Sequence, residues 1–381
     1  MIIANVVLND FTRDNRVLKI SQSLQVLGHV VTVVALSGQG LPECESHASG
    51  FQVRRIRCRT NRMPRGIFFG MIKFSELAMR IVWQFRKAEA WHCNDIEAFV
   101  LGVFAKTLNP KLRLIYDCHE FEAERNAKSN LEKKMVGWLE RRFIRFAEDV
   151  FVVSPSILKA YQDRYSAFGL PRVELLRNVP HANSSGSPTD RKLRSALGLS
   201  PEAFVAIYQG AFTYNRGIEQ MLDMAWEMKD DAIELIFMGY GPLESAIQAV
   251  AKELPWVHFH PAVSYEDVTR YSADADVGLV SVKPTCLSYL YCLPNKLFEY
   301  IQAGLPVMVN DLPDCKALLS DYGIGIAVQP DTPEQWRQEL IQLKQTLRNG
   351  SENYQEGLQH AQSELTWERE STILETVYAK A

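Results

Sequence analysis

The run VVTVVAL at Val30–Leu36 constrains this chain more than any other stretch. An unbroken apolar and β-branched run of that length suits a strand covered on both faces, the environment of a parallel sheet. Before it, Val17, Ile20, Leu24 and Leu27 recur at three- and four-residue spacing, which predicts one face of a helix, with Gly28 as its C-terminal cap. An apolar strand over residues 2–8 completes a strand–helix–strand unit, and such units build parallel sheets with right-handed crossovers. LRLIYD at 112–117 and VFVVS at 150–154 are two further buried strands. The pattern then restarts. FVAIYQGAF (204–212) and IELIFMGYG (233–241) each read as a strand running into a glycine turn, and VHFHPAV, VGLVSV, LPVMVN and GIGIAV as short strands.

With 381 residues the chain exceeds one core and suits two domains of ~150–200 residues each. The most linker-like stretch, HANSSGSPTD, spans 181–190. The predicted class is α/β, with two doubly wound domains at 1–180 and 181–361. Residues 1–178 carry 27 Lys and Arg against 18 Asp and Glu, and residues 179–381 carry 15 against 27, so the halves face different partners. No apolar run approaches the ~20 residues of a membrane span, and the first residues, MIIANVVLNDFTRDNRV, do not read as a signal peptide. Seven cysteines without a CxxC pair read as reduced thiols of a cytoplasmic protein.

In doubly wound sheets ligands sit at the carboxyl ends of the strands. The stretch LPNKLFEYIQAGLPVMVND (293–311) predicts a helix over 294–303, ended by Gly304, before a buried strand. A helix start offers free N–H groups and the positive end of the macrodipole, which suit phosphate. Lys296 adds a cation there, and Glu299 one turn on suits a ribose diol; an ordinary ion pair on a helix fits the same spacing equally well. QGAFTYNRG (209–217) places Gly210 at a strand end and Arg216 at the next helix start, and MGYGPLESAI (238–247) places Gly239 and Gly241 at another strand end. A single glycine loop is weak evidence, but the three loops together describe a nucleotide diphosphate site.

These residues resemble the donor-sugar half of glycosyltransferase family 4. PNKLFEYIQAGLPVMV resembles its glutamate helix, YQGAFTYNRG its basic glycine loop, FMGYGPLESAI its Gly-x-Gly-Pro loop, and LTWERESTILETVYAKA its final helix. The resemblance implies the GT-B fold: two facing Rossmann-like domains, with a C-terminal helix (362–381) crossing back to the first. It implies that Glu299 binds the ribose hydroxyls, that Arg216 and Lys296 hold the diphosphate beside the N–H groups near Asn295, and that 258–263 bracket the base. It further implies a retaining transfer, without a cofactor or required metal, from a nucleotide-sugar donor, most often a UDP-sugar, to a glycan or lipid-linked acceptor in polysaccharide or lipopolysaccharide assembly.

Two positions depart from the family pattern. Tyr291 stands where many members carry a glutamate that contacts the donor sugar, and Ala211 where many carry an arginine, leaving one basic residue fewer for the diphosphate unless another, such as Arg16, replaces it. In the first half, His119 follows a buried strand, and the resemblance makes it the residue that positions the sugar. Glu120 is an orienting partner or a surface carboxylate. Arg13, Asn15, Arg16 and Asp95 are candidates for acceptor or phosphate contacts, with helix capping by Asp14 or Asn15 and by Asn94 or Asp95 the competing reading. The DAD at 274–276 and HFH at 258–260 read as structural, with no third metal ligand in view.

FQVRRIRCRTNRMPRGIFFGMIKF (51–74) holds six arginines, one lysine and no acid, with apolar residues clustered at its end. It suits an anionic membrane surface through 54–74 better than nucleic acid, and a core helix with solvated arginines is the plainer alternative. A UDP-sugar epimerase of the same shape and a non-catalytic relative supporting another transferase remain open.

Overall fold

The computed structural model describes residues 1–64, 66–126, 128–182, 192–350 and 352–379. The predicted linker falls almost wholly outside the described residues, as does Arg65 of the basic stretch. The chain forms two compact units, Met1–Arg177 with Ser371–Ala381, and Asn178–Glu370. Residues 362–370 therefore lie with the second unit, where the expectation put them with the first.

The first unit holds an eight-stranded sheet of β1 (Ile2–Val6), β2 (Val30–Leu36), β3 (Cys44–Ser46), β4 (Gln52–Ile56), β5 (Ala90–Asn94), β6 (Arg113–Cys118), β7 (Asp149–Val152) and β8 (Arg172–Leu175). Its order is β3-β4-β2-β1-β5-β6-β7-β8, parallel except for the β3–β4 pair. Strands β1 and β2 are buried because Ile3, Val6, Val33 and Val34 have no solvent exposure, and each such side chain contributes ~1.5–3 kcal/mol on burial. Strand β5, Ala-Trp-His-Cys-Asn, is buried along its whole length although it has no apolar run. Its polar groups find partners: Asn94 donates to Asn5 Oδ1 at 2.7 Å and to the Val6 carbonyl at 2.9 Å.

The second unit holds six parallel strands, β9 (Phe204–Ala211), β10 (Ile233–Tyr240), β11 (Val257–Pro261), β12 (Val277–Val280), β13 (Val307–Asn310) and β14 (Gly325–Val328), ordered β11-β10-β9-β12-β13-β14. Tyr208, Phe237 and Leu279 of this sheet, with Phe212 just after β9, pack with Trp336 and Leu340 of the helix Pro333–Asn349 in one core.

Both sheets reverse their winding order once, at β1/β5 in the first and β9/β12 in the second. Those switch points are where doubly wound sheets leave a crevice at the strand carboxyl ends. The final helix of the expectation is two short ones, Trp367–Glu370 and Thr372–Ala379, and the unit boundary falls between them. Among the described residues no helix is long and apolar enough to cross a membrane.

Candidate functional site

The second unit's switch point is built on close backbone approach. A Cβ on Gly239 would lie 1.9 Å from the carbonyl oxygen of Gly210, and one on Gly217 would lie 2.0 Å from Ser281 Oγ, so only glycine fits either place. Gly210 is left exposed at the end of β9, and Gly241 follows β10. The helix Asn295–Gln302 starts beside them with no side chain capping its first turn. Its buried face, Leu297, Phe298 and Ile301, anchors it, and its N-terminal N–H groups supply the donors that an anion needs.

Lys296 places its ammonium 3.4 Å from the centre of the Tyr208 ring, and its side chain passes the α-carbon of Gly210. Burial drives its pKa well below the ordinary lysine value, and the Arg216 charge adds to that, against a smaller opposing pull from Glu299. Arg216 stacks on Tyr289 at 4.7 Å. A lysine and an arginine thus meet at a glycine-lined strand end, where a bound dianion would favour the charged form of the lysine. Glu299 accepts a hydrogen bond from Gln209 Nε2 at 2.6 Å, and Gln209 in turn accepts from Ser272 Oγ. This chain of hydrogen bonds fixes one carboxylate oxygen of Glu299.

Gln209 and Ser272 escaped the sequence reading. The signal for Gln209 was present: one amide ending the apolar run FVAIYQ, buried at 1% exposure. Tyr291 sits half-buried just after the short helix Leu287–Leu290. Exposed Asn295 accepts from Asn178 Nδ2 at 3.2 Å. Asp274 and Asp276 both pair with Arg194, and His258 pairs with Glu234. No group of three metal-ligating side chains occurs among the described residues.

In the first unit, His119 follows β6 and is held from two sides. Its Nε2 lies 3.1 Å from Asn94 Oδ1 and 3.5 Å from Asp117 Oδ2, and its Nδ1 lies 3.7 Å from Asp95 Oδ1. Burial works against its charge, but Asp95 and Asp117 outweigh it and push the pKa up to about 9. His119 is therefore an imidazolium at neutral pH. Asp117 is buried completely, and Arg16, His119 and His92 overcome the cost of that burial and hold its pKa well below the usual carboxylate range.

Three expectations change here. Arg16 does not offer its guanidinium to a phosphate: it is 4% exposed, forks onto Asp117 at 2.6 and 2.8 Å, and donates to the Leu176 carbonyl. Glu120 pairs with Arg125, while Asn94, Asp95 and Asp117 hold His119. Asn94 precedes a helix but caps nothing with its side chain: its Nδ2 donates to Asn5 and Val6 of β1, and its Oδ1, the atom a cap would use, lies 3.1 Å from His119 Nε2. Asp95 starts that helix with φ of 63° and also lies 3.9 Å from Arg125. Arg13 is exposed on the loop before the helix Asn15–Val26, and Asn15 opens that helix, which Asp14 caps by accepting from the Val17 N–H. Asp117 and His92 were missed because they lie inside strands, where the sequence reads as core.

Residues 14–178 match the family model described as glycosyl transferase 4-like domain, and residues 203–346 match glycosyl transferases group 1. One glycosyltransferase domain model is thus matched in each half of the chain. It is 25% identical over 260 residues to TuaH of Bacillus subtilis (strain 168), a glycosyltransferase assigned to teichuronic acid biosynthesis, covering 64% of this chain and 61% of that relative. Two solved structures share the fold over nearly the whole of both chains. Sucrose-phosphate synthase from Thermosynechococcus elongatus has a TM-score of 0.80 at 16% identity, covering 99% and 98%. HepE of Anabaena, in complex with UDP-glucose, has a TM-score of 0.74 at 17% identity, covering 100% of each.

Proposed function

We propose that the chain moves a sugar from a nucleotide diphosphate, with UDP as the carrier, to a hydroxyl of a glycan or glycolipid in the assembly of a surface polysaccharide. The observation that carries this reading is the pairing, on one eight-residue helix, of a cation turned to a glycine-lined strand end and a carboxylate held by Gln209. A ligand carrying a diphosphate and a ribose needs both. The UDP-glucose bound by HepE and the teichuronic acid assignment of TuaH support the donor class and the setting.

In this reading Lys296, Arg216 and the N–H groups at Asn295 hold the diphosphate, Glu299 binds the ribose diol, and the loops at Gly210 and Gly241 admit the phosphates closely. The bond between the sugar carbon and the phosphate oxygen breaks with its electron pair going to the diphosphate. The acceptor oxygen bonds to that carbon from the same face, and its proton passes to the departing phosphate oxygen, so configuration is retained. Catalysis is mainly stabilisation of the charge that develops on the leaving group. No step calls on a metal. His119, cationic at neutral pH, orients the sugar and its acceptor. Asp95 and Asn94 hold His119 in place.

The test is release of UDP from UDP-sugars with and without extracted acceptor glycan, and the anomeric form of the product. Release that depends on acceptor and on Glu299, with retained configuration, is expected. A converted sugar that stays on its nucleotide would replace this reading with epimerisation. No turnover of any sugar nucleotide would overturn it.

A further inference from the structure

Asn5 and Asn94 meet where the first unit's sheet reverses its winding, one on β1 and the other at the end of β5. Both are buried, Asn5 completely. A buried amide is costly unless its donors and acceptor are met, and a β-branched residue would fill a central strand without that demand. The two amides belong to a hydrogen-bonded chain. The Ser21 hydroxyl donates to the Val17 carbonyl at 2.7 Å and accepts from Asn5 Nδ2 at 2.9 Å. Asn5 Oδ1 accepts from Asn94 Nδ2 at 2.7 Å, and the same nitrogen donates to the Val6 carbonyl at 2.9 Å. Asn94 Oδ1 lies 3.1 Å from His119 Nε2.

The chain runs in one direction only. A carbonyl oxygen can accept but not donate, so Val17 at one end and Val6 near the other decide which end of each amide is nitrogen. Asn94 therefore offers His119 an acceptor, and Nε2 carries a proton in both charge states of the ring. The charged or titratable groups facing this ring are Asp95, Asp117 of β6, Arg16 of the helix Asn15–Val26 and His92 of β5. Asp117 Oδ2 is 3.5 Å from Nε2 and already accepts from Arg16 Nε at 2.8 Å. Asp95 Oδ1 is 3.7 Å from Nδ1, beyond hydrogen-bond distance, and draws a proton to that side of the ring. Were the Asn94 amide turned over, its NH2 would oppose the Nε2–H of the imidazolium and would favour a neutral ring protonated on Nδ1.

We propose that Asn5 is a positioning residue for His119: with Ser21 it holds the Asn94 amide in the orientation that keeps a proton on Nε2 and leaves Nδ1 as the atom that gains and loses the second proton. Being wholly buried, Asn5 acts only through Asn94. Its part in sugar transfer rests on the role given to His119 above, whereas its hold on the ring is read without turnover.

The test is ring-nitrogen NMR of the histidines in the intact chain, titrated through about pH 9, the midpoint for His119. Above it, the neutral His119 ring of the parent is expected as the Nε2–H tautomer. Asn5→Leu removes one of the two bonds that orient Asn94, so the proton affinity of His119 is expected to fall roughly five-fold, the worth of one hydrogen bond, with a share of the Nδ1–H tautomer appearing. Ser21→Ala suits a helix interior and is expected to move both readouts the same way by less, so the test does not depend on the folding of Asn5→Leu. In an Asn94→Leu background Asn5→Leu is expected to add nothing to the His119 titration. In the transfer assay kcat falls in Asn5→Leu while UDP affinity stays, because the nucleotide-binding residues lie in the other unit. The expected titrations in a protein that turns over no sugar nucleotide would uphold the hold on His119 and overturn the function proposed above. A parent ring neutral as Nδ1–H, a titration unmoved in both Asn5→Leu and Ser21→Ala, or additive effects of Asn5→Leu and Asn94→Leu would overturn the proposal.

Discussion

His92 and His119 bring Nε2 to the same oxygen of Asp117, at 3.2 and 3.5 Å, yet their proton affinities move in opposite directions. Burial drives His92 down, and its ring stays neutral. Burial also acts on His119, but the added Asp95 carboxylate turns the balance and lifts it to about 9. With Asp117 ionised, neutral His92 must carry its proton on Nε2, so its Nδ1 accepts from the Tyr378 hydroxyl at 2.8 Å. The last helix of the chain, Thr372–Ala379, is thereby tied to the group that holds His119.

The His119 charge sets an alkaline limit. Its folded pKa lies above the ordinary value of 6.5, so its contribution to stability is fully present below pH 6.5 and is lost as pH rises through about 9. Transfer activity is expected to fall over the same upper limb. In His119→Gln the limb disappears and activity drops by ~10²–10³-fold, the typical loss for one donor to a developing charge. NMR titration of the His119 ring checks the assignment, and a pKa near 6.5 in the folded protein would contradict it.

Removing the Tyr378 hydroxyl leaves His92 Nδ1 buried without a donor. Tyr378→Phe is expected to cost ~1–3 kcal/mol in urea unfolding. It also frees the His92 tautomer, so the His119 titration shifts although Tyr378 does not touch His119. A destabilised protein with an unmoved His119 titration would limit Tyr378 to packing.

Lys296 makes nucleotide affinity depend on pH. Its folded pKa is depressed, and a diphosphate raises it again by supplying countercharge, so binding takes up a proton between the free and bound values. Affinity is therefore expected to rise as pH falls through that window. Calorimetry in buffers of different ionisation enthalpy measures the uptake, and Lys296→Met abolishes it. In the free protein the sign reverses: the depressed lysine makes stability rise with pH up to the unfolded value of about 10.5.

Gly217→Ala and Gly239→Ala each put a methyl group within 2.0 Å of a neighbouring atom, Ser281 Oγ and the Gly210 carbonyl oxygen respectively. The Gly239 clash is with backbone, which must shift. We expect ~1–3 kcal/mol of destabilisation and, for Gly239→Ala, a loss of nucleotide affinity as Gly210 is displaced. Ser281→Gly in the Gly217→Ala background removes both clashing atoms, Oγ at 2.0 Å and Cβ at 2.3 Å, and is expected to recover part of the lost stability, as paired unfolding curves would show.

The parallel sheets were legible where strands are continuous apolar runs, as in β2, β9 and β13. Strand β5 was not, because a central strand of Ala-Trp-His-Cys-Asn has no period to read. Its polar side chains are tolerated only through partners distant in sequence, Asn5, Asp117 and Tyr378. Lys296 and Glu299 could be read because one helix start carries both. Gln209 stood out as one amide ending an apolar run, but its role did not, since that depends on a contact across 90 positions. Arg16 misled for the same reason: a loop arginine after the first strand looks available until Asp117, 101 residues later, is placed beside it.

The most direct measurement of the central claim is calorimetric binding of UDP to the intact chain and to Glu299→Ala. The account predicts binding to the intact chain and a loss of roughly 10–100-fold in the variant, the worth of charged hydrogen bonds to the ribose, with the melting temperature of the free variant close to that of the parent. Equal affinity in the two proteins, or no binding of any nucleoside diphosphate by the intact chain, would contradict it.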